Sequence, residues 1–389
     1  MASVPSRDTR TPQTAPFRPE WPPLTPSTIT GRPQRIKTEK SKKTTRRTGA
    51  TRGWMVWLAF SAPFVTLALL YNGDVTANAE TDRIGSYIRW GSDDLSFASR
   101  LFPPLPAAVA GLTPFGTRGL GVAGALLAGV VLGVLAERLT KSLPVWLAGV
   151  LLAGLGALPA FGVLAVSDFA GFAVVALLSM GLAGMVRFVA DGDTGGGFAC
   201  GLAMGAAVMC DLSAVLFTIM LAVSCALIIR LRGFGGAEVE PGLIRASMLV
   251  IVFPAATALA GWSFLEWRFA GTFYQGLDGR WGPNVITGGL AGLAAHPWRE
   301  LGEAVLRTPV FLAVLFLGVL HRRWISVLLL PSPPLLFGLA VALGLPLSPQ
   351  EALLVLGVTA LVAPMPAGRV TIVVLCVAVG AQLGLAWVW

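Results

Sequence analysis

Long apolar runs separated by short polar breaks dominate this chain, and they approach the roughly 20 residues that a helix needs to cross a bilayer. Eleven stand out, at 54–71, 118–137, 144–165, 169–187, 197–210, 213–229, 244–265, 308–320, 324–345, 350–366 and 370–388. Those starting at 197 and 308 are short for a full crossing, so the pattern predicts ten to twelve spans. Several runs are rich in Gly and Ala, as in "GVAGALLAGVVLGVLA". Such residues suit the close helix contacts that hold a bundle together in lipid. The expected fold class is therefore all-α, a polytopic bundle of transmembrane helices. Two polar gaps, 72–117 and 266–307, are far longer than the other connections.

Composition agrees with the pattern. Hydrophobic residues make up 55% of the 389 and charged residues only 13%, with a mean hydropathy of +0.73, whereas soluble domains carry about a quarter charged residues. The net charge of +9 is not a nucleic-acid signature, because all of the excess lies at one end. Residues 1–52 hold 12 Lys and Arg against 3 Asp and Glu, which leaves 17 of each sign in the rest. Pro, Thr and basic residues without an apolar period cannot offset chain entropy by burial. Residues 1–52 therefore read as a disordered basic cytosolic tail, and 53–389 as the transmembrane domain. The tail is too long and polar for a secretory signal. It serves topology, or it meets anionic lipid headgroups or a cytosolic partner. Cys200, Cys210, Cys225 and Cys376 all fall in apolar runs without a CxxC spacing, and read as small core residues.

Basic residues in the short loops set the orientation. With the tail in the cytosol, Arg138, Lys141, Arg187, Arg230, Arg232, Arg245, Arg322, Arg323 and Arg369 fall inside. The short outside loops near 166–168, 211–212 and 346–349 hold no Lys or Arg. This places the N-terminus in the cytoplasm and, with eleven spans, the C-terminus outside. The extracytoplasmic face then gathers Asp74, Glu80, Asp82, Asp93, Asp94, Asp168, Asp211, Glu266, Arg268, Asp278 and Arg280. Acids at span ends are costly against lipid. Asp168 and Asp211 should therefore face protein or a wet cavity, although Asp211 could equally cap the helix starting near Ser213.

The first long loop reads "NGDVTANAETDRIGSYIRW" and then "GSDDLSFASRLFPPLPAAVAGLTPFG". An acid just past the first span, a helical stretch and an aromatic-Pro-Pro-Leu-Pro return to the membrane follow one another in a particular order. Later segments continue it: "LPAFGVLAVSDFAGFAVVALL" with Pro159 and Asp168, "GGGFACGLAMGAAVMCDLSAVLF", and "ALAGWSFLEWRFAGTFYQG". Over roughly residues 54–285 this order resembles the polytopic GT-C class of membrane glycosyltransferases, which use polyprenyl-phosphate sugars. The mannosyltransferase-like and arabinosyltransferase-like members of actinobacteria are the most similar in character. The chain departs from the class where relatives often carry a second acid directly after the first. Here Val75 follows Asp74, and the acid pair comes later, at Asp93 and Asp94.

The resemblance implies an enzyme of the plasma membrane and cell envelope that moves a sugar from a polyprenyl-phosphate donor to a glycan, lipid or protein acceptor. Its site would lie on the extracytoplasmic face. One carboxylate would take the proton of the acceptor hydroxyl, a role worth about 10²–10⁴-fold in rate. Asp74 matches that position, with Asp82 in reserve, and partial desolvation should raise the pKa of a carboxylate there. If 74–90 is helical, the two lie on nearly the same face. Positive charge should compensate the leaving phosphate, with Arg268 and Arg280 as candidates in the second loop and Arg89 and Arg100 in the first. Trp267, Tyr274 and Trp281 could stack on a sugar or form an interfacial belt. Asp168 completes the expected substrate-binding set with Arg268, Tyr274 and Arg280. Carboxylates could hold a divalent metal, although no ligand spacing argues for one. Two other readings keep the fold and change the function: a non-catalytic transferase-like scaffold among membrane lipids, and a transporter or lipid flippase. Against the last, the charged groups gather at one face rather than mid-membrane.

Overall fold

The computed structural model describes residues 47–91, 96–233, 241–271, 302–342, 348–366 and 368–388. The described residues form helices without strands: α1 (Arg47–Leu70), α2 (Thr76–Gly85), a 3₁₀ turn (Ser96–Arg100), α3 (Pro104–Leu112), α4 (Thr117–Leu139), α5 (Val145–Gly156), α6 (Pro159–Ser167), α7 (Phe169–Asp191), α8 (Thr194–Val208), α9 (Ala214–Arg232), α10 (Pro241–Ala270), α11 (Pro309–Leu320), α12 (Trp324–Leu329), α13 (Ser332–Ala342), α14 (Pro349–Val362) and α15 (Arg369–Val388). Each apolar run coincides with one or two of these helices.

Among the described residues, five helices are long and apolar enough to cross a membrane: α4, α7, α9, α10 and α15. A sixth crossing is available if α5 and α6 together count as one. The chain is thus an all-α, membrane-embedded protein. The run at 144–165, expected as one span, is instead two helices bent by 60°. Pro159 lacks the amide that would continue the ladder and sits at the first turn of α6, where its fixed φ is tolerated. The run at 324–345 is interrupted by a turn at 330–331 between α12 and α13, at the start of "PSPP", and Trp324–Ala340 still passes as one apolar helix. α1 begins at Arg47, within the stretch read as tail; residues 1–46 lie outside the described residues.

α7 is the axis of the bundle, with 83% of its apolar window buried against 17% for α10. It packs on α4, α8 and α14, while α1 lies along α4, α8 against α10, and α15 against α5 and α11. Phe161 links α1 to α7, its ring 5.3 Å from both Phe64 and Phe172. Small residues allow the closest seams. Gly197, Gly201 and Gly205 recur every four residues on α8. A Cβ on Gly197 would meet the Phe188 ring at 2.9 Å, and one on Gly205 would meet Pro254 at 3.2 Å. On α4, Gly129 and Gly133 bring the backbone against Ser61 and Trp57 of α1.

The first long loop is mostly helical and lies on one end of the bundle. α2 and α3 pack together, with Gly85 and Ala110 at the crossing, and both touch α4. Ile84, Leu101 and Ala107 form a small core of their own, joined by Tyr87, Ile88, Phe97 and Trp262 of α10. The Leu105 amide donates to the Met209 carbonyl at the end of α8 (3.2 Å), and the Phe102 ring lies 6.3 Å from Trp262. This layer therefore covers the end where α6, α8 and α10 finish and α4 and α7 begin.

Candidate functional site

The buried face of α2 places the polar groups of this layer. Asn78, Thr81, Ile84 and Gly85 turn inward, at a spacing of three and four residues. Asn78 is fully buried: its Nδ2 donates to the Val166 carbonyl and its Oδ1 accepts from the Phe169 amide, both at 2.8 Å. One side chain thus satisfies a free carbonyl at the end of α6 and a free amide at the start of α7, both exposed by the break between them. It also fixes α2 over Asp168.

Asp82 lies one turn beyond Asn78 and is half-buried. Its Oδ2 is 3.0 Å from where a Cβ would sit on Gly116, the residue before α4, whose φ is +58°. The first-turn amides of α4 have no partners within the helix and attract an anionic side chain. Glycine at position 116 serves twice, allowing the positive φ and leaving room for the carboxylate.

Asp74 lies before α2 rather than in it, so the helical face expected to join it to Asp82 does not exist. It is exposed, and its Oδ1 accepts from both the hydroxyl and the amide of Thr76. These bonds favour the charged form and hold its pKa below the ordinary carboxylate value. The expectation of a raised pKa fails here because the group is solvated and hydrogen-bonded instead of desolvated.

Asp168 caps α7, accepting from the Gly171 amide at 3.0 Å. It does not stand alone. Asp168 Oδ2 and Glu351 Oε1, from α14, each lie 2.6 Å from the position of a Cβ on Gly171, so two half-buried carboxylates meet over that glycine. Such a pair can share a proton or receive a positively charged group. Glu351 was hidden in the sequence by "SPQE", which reads as a capping box with Ser348. In the structure Ser348 makes no side-chain cap bond, and Glu351 is turned toward α7. Asp211 accepts from the Ser213 amide at 2.8 Å in the turn ahead of α9, whose N-cap residue is Ser213 itself.

On the last turns of α10, Glu266 is fully buried and accepts from Trp262 Nε1 at 2.9 Å, inside the cluster that holds α3 to α10. The sequence placed it at the start of the second long loop, whereas α10 continues to Ala270 and pairs it with Trp262 at the helical spacing of four. Arg268 is exposed, its guanidinium 5.8 Å from the ring of its neighbour Phe269. Trp267 is also exposed, 5.9 Å from Phe264, as suits an interfacial aromatic. Arg89 and Arg100 are exposed as well. Tyr274, Arg280, Trp281 and the pair Asp93–Asp94 lie outside the described residues.

The structure therefore brings Asn78, Asp82, Asp168 and Glu351 to one end of the bundle and leaves Asp74 and Arg268 in solvent. Among the described residues, no group of three or more His, Cys, Asp and Glu gathers as a metal site. Fold and site together define a membrane-embedded helical protein with a carboxylate-bearing layer across one end. Comparison with known protein families, curated proteins and solved structures finds no match for the chain.

Proposed function

We propose that the chain is a membrane glycosyltransferase of the GT-C kind. It would have eleven spans in the plasma membrane, a cytoplasmic N-terminus and an extracytoplasmic C-terminus. It moves a sugar from a polyprenyl-phosphate donor to an acceptor hydroxyl on the extracytoplasmic face. One observation carries this reading beyond the sequence resemblance. The loop after α1 is a packed helical layer that holds Asp82 half-buried beside the start of α4, close to Asn78 and the α6–α7 break. A lipid-linked donor has its chain in the bilayer and its phosphate at the interface, so a carboxylate at the bundle end is where its chemistry would occur.

In the proposed step a loop carboxylate takes the proton of the acceptor hydroxyl as the acceptor oxygen attacks the anomeric carbon. The bond from that carbon to the donor phosphate breaks, and the polyprenyl phosphate leaves with the electron pair. The geometry favours Asp82 over Asp74 as base, because Asp74 is solvated and committed to Thr76. Arg268 at the end of α10, with Tyr274 and Arg280 further on, is retained for the leaving phosphate and the sugar. Glu351 joins Asp168 as a candidate for acceptor binding.

Release of polyprenyl phosphate from a labelled donor by membranes containing the protein tests this directly. Asp82→Asn should lower turnover by about 10²–10⁴-fold, as loss of a general base does, and Asp74→Asn far less. Full activity in both variants would remove the assignment of the base. Transport of a solute or lipid with no donor ever consumed would remove the enzyme. Cysteine labelling that placed residue 74 in the cytosol would put the layer on the wrong side for the reaction.

The pH profile separates the two acids. The lowered pKa of Asp74 means that its bonds with Thr76 stabilise the fold above the ordinary carboxylate value, and that this contribution fades as pH falls through the lowered one. Thr76→Val removes the hydroxyl donor and raises the pKa of Asp74. With Asp82 as base, the acid limb of the rate profile should not move in Thr76→Val; an upward shift would return the role to Asp74.

A further inference from the structure

An apolar groove of about 740 Å³ lies between α1, α4 and the bent pair α5–α6. Its walls are apolar throughout, including Phe60, Pro63 and Leu67 on one side and Leu152, Pro159 and Val163 on the other. Two features of the sequence open it. The break at Pro159 turns α6 away from the line of α5 by 60°. In addition, Gly149 and Gly156 put no side chain into the space. A Cβ on Gly149 would have nothing within 4 Å, and one on Gly156 would meet Phe64 and Leu132 only at 3.5 and 3.6 Å.

Along α1 the groove runs from Ala59 to Leu67, about 12 Å at the usual helical rise. That is close to half of the roughly 30 Å hydrocarbon core. It stops one turn before the end of α1 at Leu70, beyond which the chain enters the loop with Asp74. Ordered water needs two to four polar partners, and these walls provide little for it to bond. An empty hollow would forfeit the dispersion contacts of its lining. The filler available at this depth is hydrocarbon.

We infer that the groove binds one acyl chain of a phospholipid from the leaflet on the Asp74 side, with an ammonium-bearing headgroup facing the Asp74 carboxylate. The length of the groove fits a single chain within one leaflet. Asp74 is exposed and charged at neutral pH, so it complements an ethanolamine or choline headgroup and opposes a bare phosphate. This sets the occupant apart from a polyprenyl phosphate, which has a longer chain and no cation. The inference does not depend on the transferase reading.

The test uses the full chain in nanodiscs containing phosphatidylethanolamine with a diazirine in one acyl chain, irradiated and mapped by peptide mass spectrometry. Adducts should concentrate on residues 59–67 and 149–163. They should be lost in Gly149→Leu and in Ala153→Phe, the latter at an exposed position on the groove wall, while adducts on the exposed Leu249 and Phe253 of α10 persist. Groove labelling no stronger than that of α10, or undiminished in both variants, overturns the site. Loss of the groove adducts on adding equimolar undecaprenyl phosphate overturns the phospholipid as occupant. Equal labelling by the phosphatidylglycerol analogue overturns the headgroup preference.

Discussion

Small residues line both the α8 seam and the α5–α6 groove, with opposite results. On α8 they admit a neighbour. Gly201 faces the Val250 carbonyl and the Pro254 ring of α10, and Gly184 of α7 and Gly196 of α8 bring their backbones together. On α5 two glycines of the groove face open space, at Gly149, or a loose neighbour, at Gly156, while Gly162 of α6 lies close to Leu67. Glycine removes a side chain in both places, and what stands opposite decides whether the result is contact or vacancy. In lipid this distinction is sharp, because packing and hydrogen bonding have to replace the hydrophobic drive between helices. A Gly/Ala-rich run therefore announces an unusual surface without saying which kind.

The largest effect should come from breaking the seam. Gly201→Leu places a side chain against the α10 backbone, and the first atom to collide is a carbonyl that cannot rotate away. Overpacking of a tight core costs about 1–3 kcal/mol, and this position should lie at the upper end. Unfolding of the purified protein in detergent measures it. A midpoint equal to that of the parent would mean that α8 and α10 are not held at this spacing.

Asn78→Ala comes next and touches the boundary between the two regions. It leaves the Val166 carbonyl and the Phe169 amide without their side-chain partner in a buried place. Each such loss costs at least about 1 kcal/mol, so a drop of roughly 2 kcal/mol is expected in the same assay. Asn78→Asp should not rescue it, because a carboxylate cannot donate to the Val166 carbonyl. The end of α6 is also an end of the groove, so diazirine labelling at Val163 should change along with the stability. Loss of stability with unchanged labelling would separate the anchor from the hollow.

The two regions were unequally legible in the sequence. Apolar length located every helix of the bundle, and the Pro159 break could have been read from the chain as well, since proline ends helices by covalent geometry alone. The register of α8 was visible as glycine every fourth residue, but its partner was not, because contact with Pro254 depends on how α10 crosses it. The site divided in the same way. Asp211 followed a local rule in bonding an amide two residues on, although the N-cap of α9 is Ser213. Asn78 and Glu351 act across long separations, and nothing within a few residues of either reveals the partner. For Asp74 the local signal concerned protonation and not role. Position alone favoured it, while Thr76, two residues away, holds its carboxyl in a solvated turn.

The smallest expected effect completes the contrast. Gly149→Leu adds nearly the same bulk as Gly201→Leu, on another glycine of another span, yet its Cβ has nothing within 4 Å. The added side chain would extend into the groove and exchange contact with a lipid chain for contact with protein. Stability should therefore stay within about 0.5 kcal/mol of the parent, the range usual for substitutions that disturb no packing. The two glycines stand on helices that make no close contact in common, so the double variant should lose what Gly201→Leu loses alone, to within about 0.5 kcal/mol. A large loss in Gly149→Leu would show that another part of the bundle occupies the groove in solution, and the contrast between seam and hollow would end there.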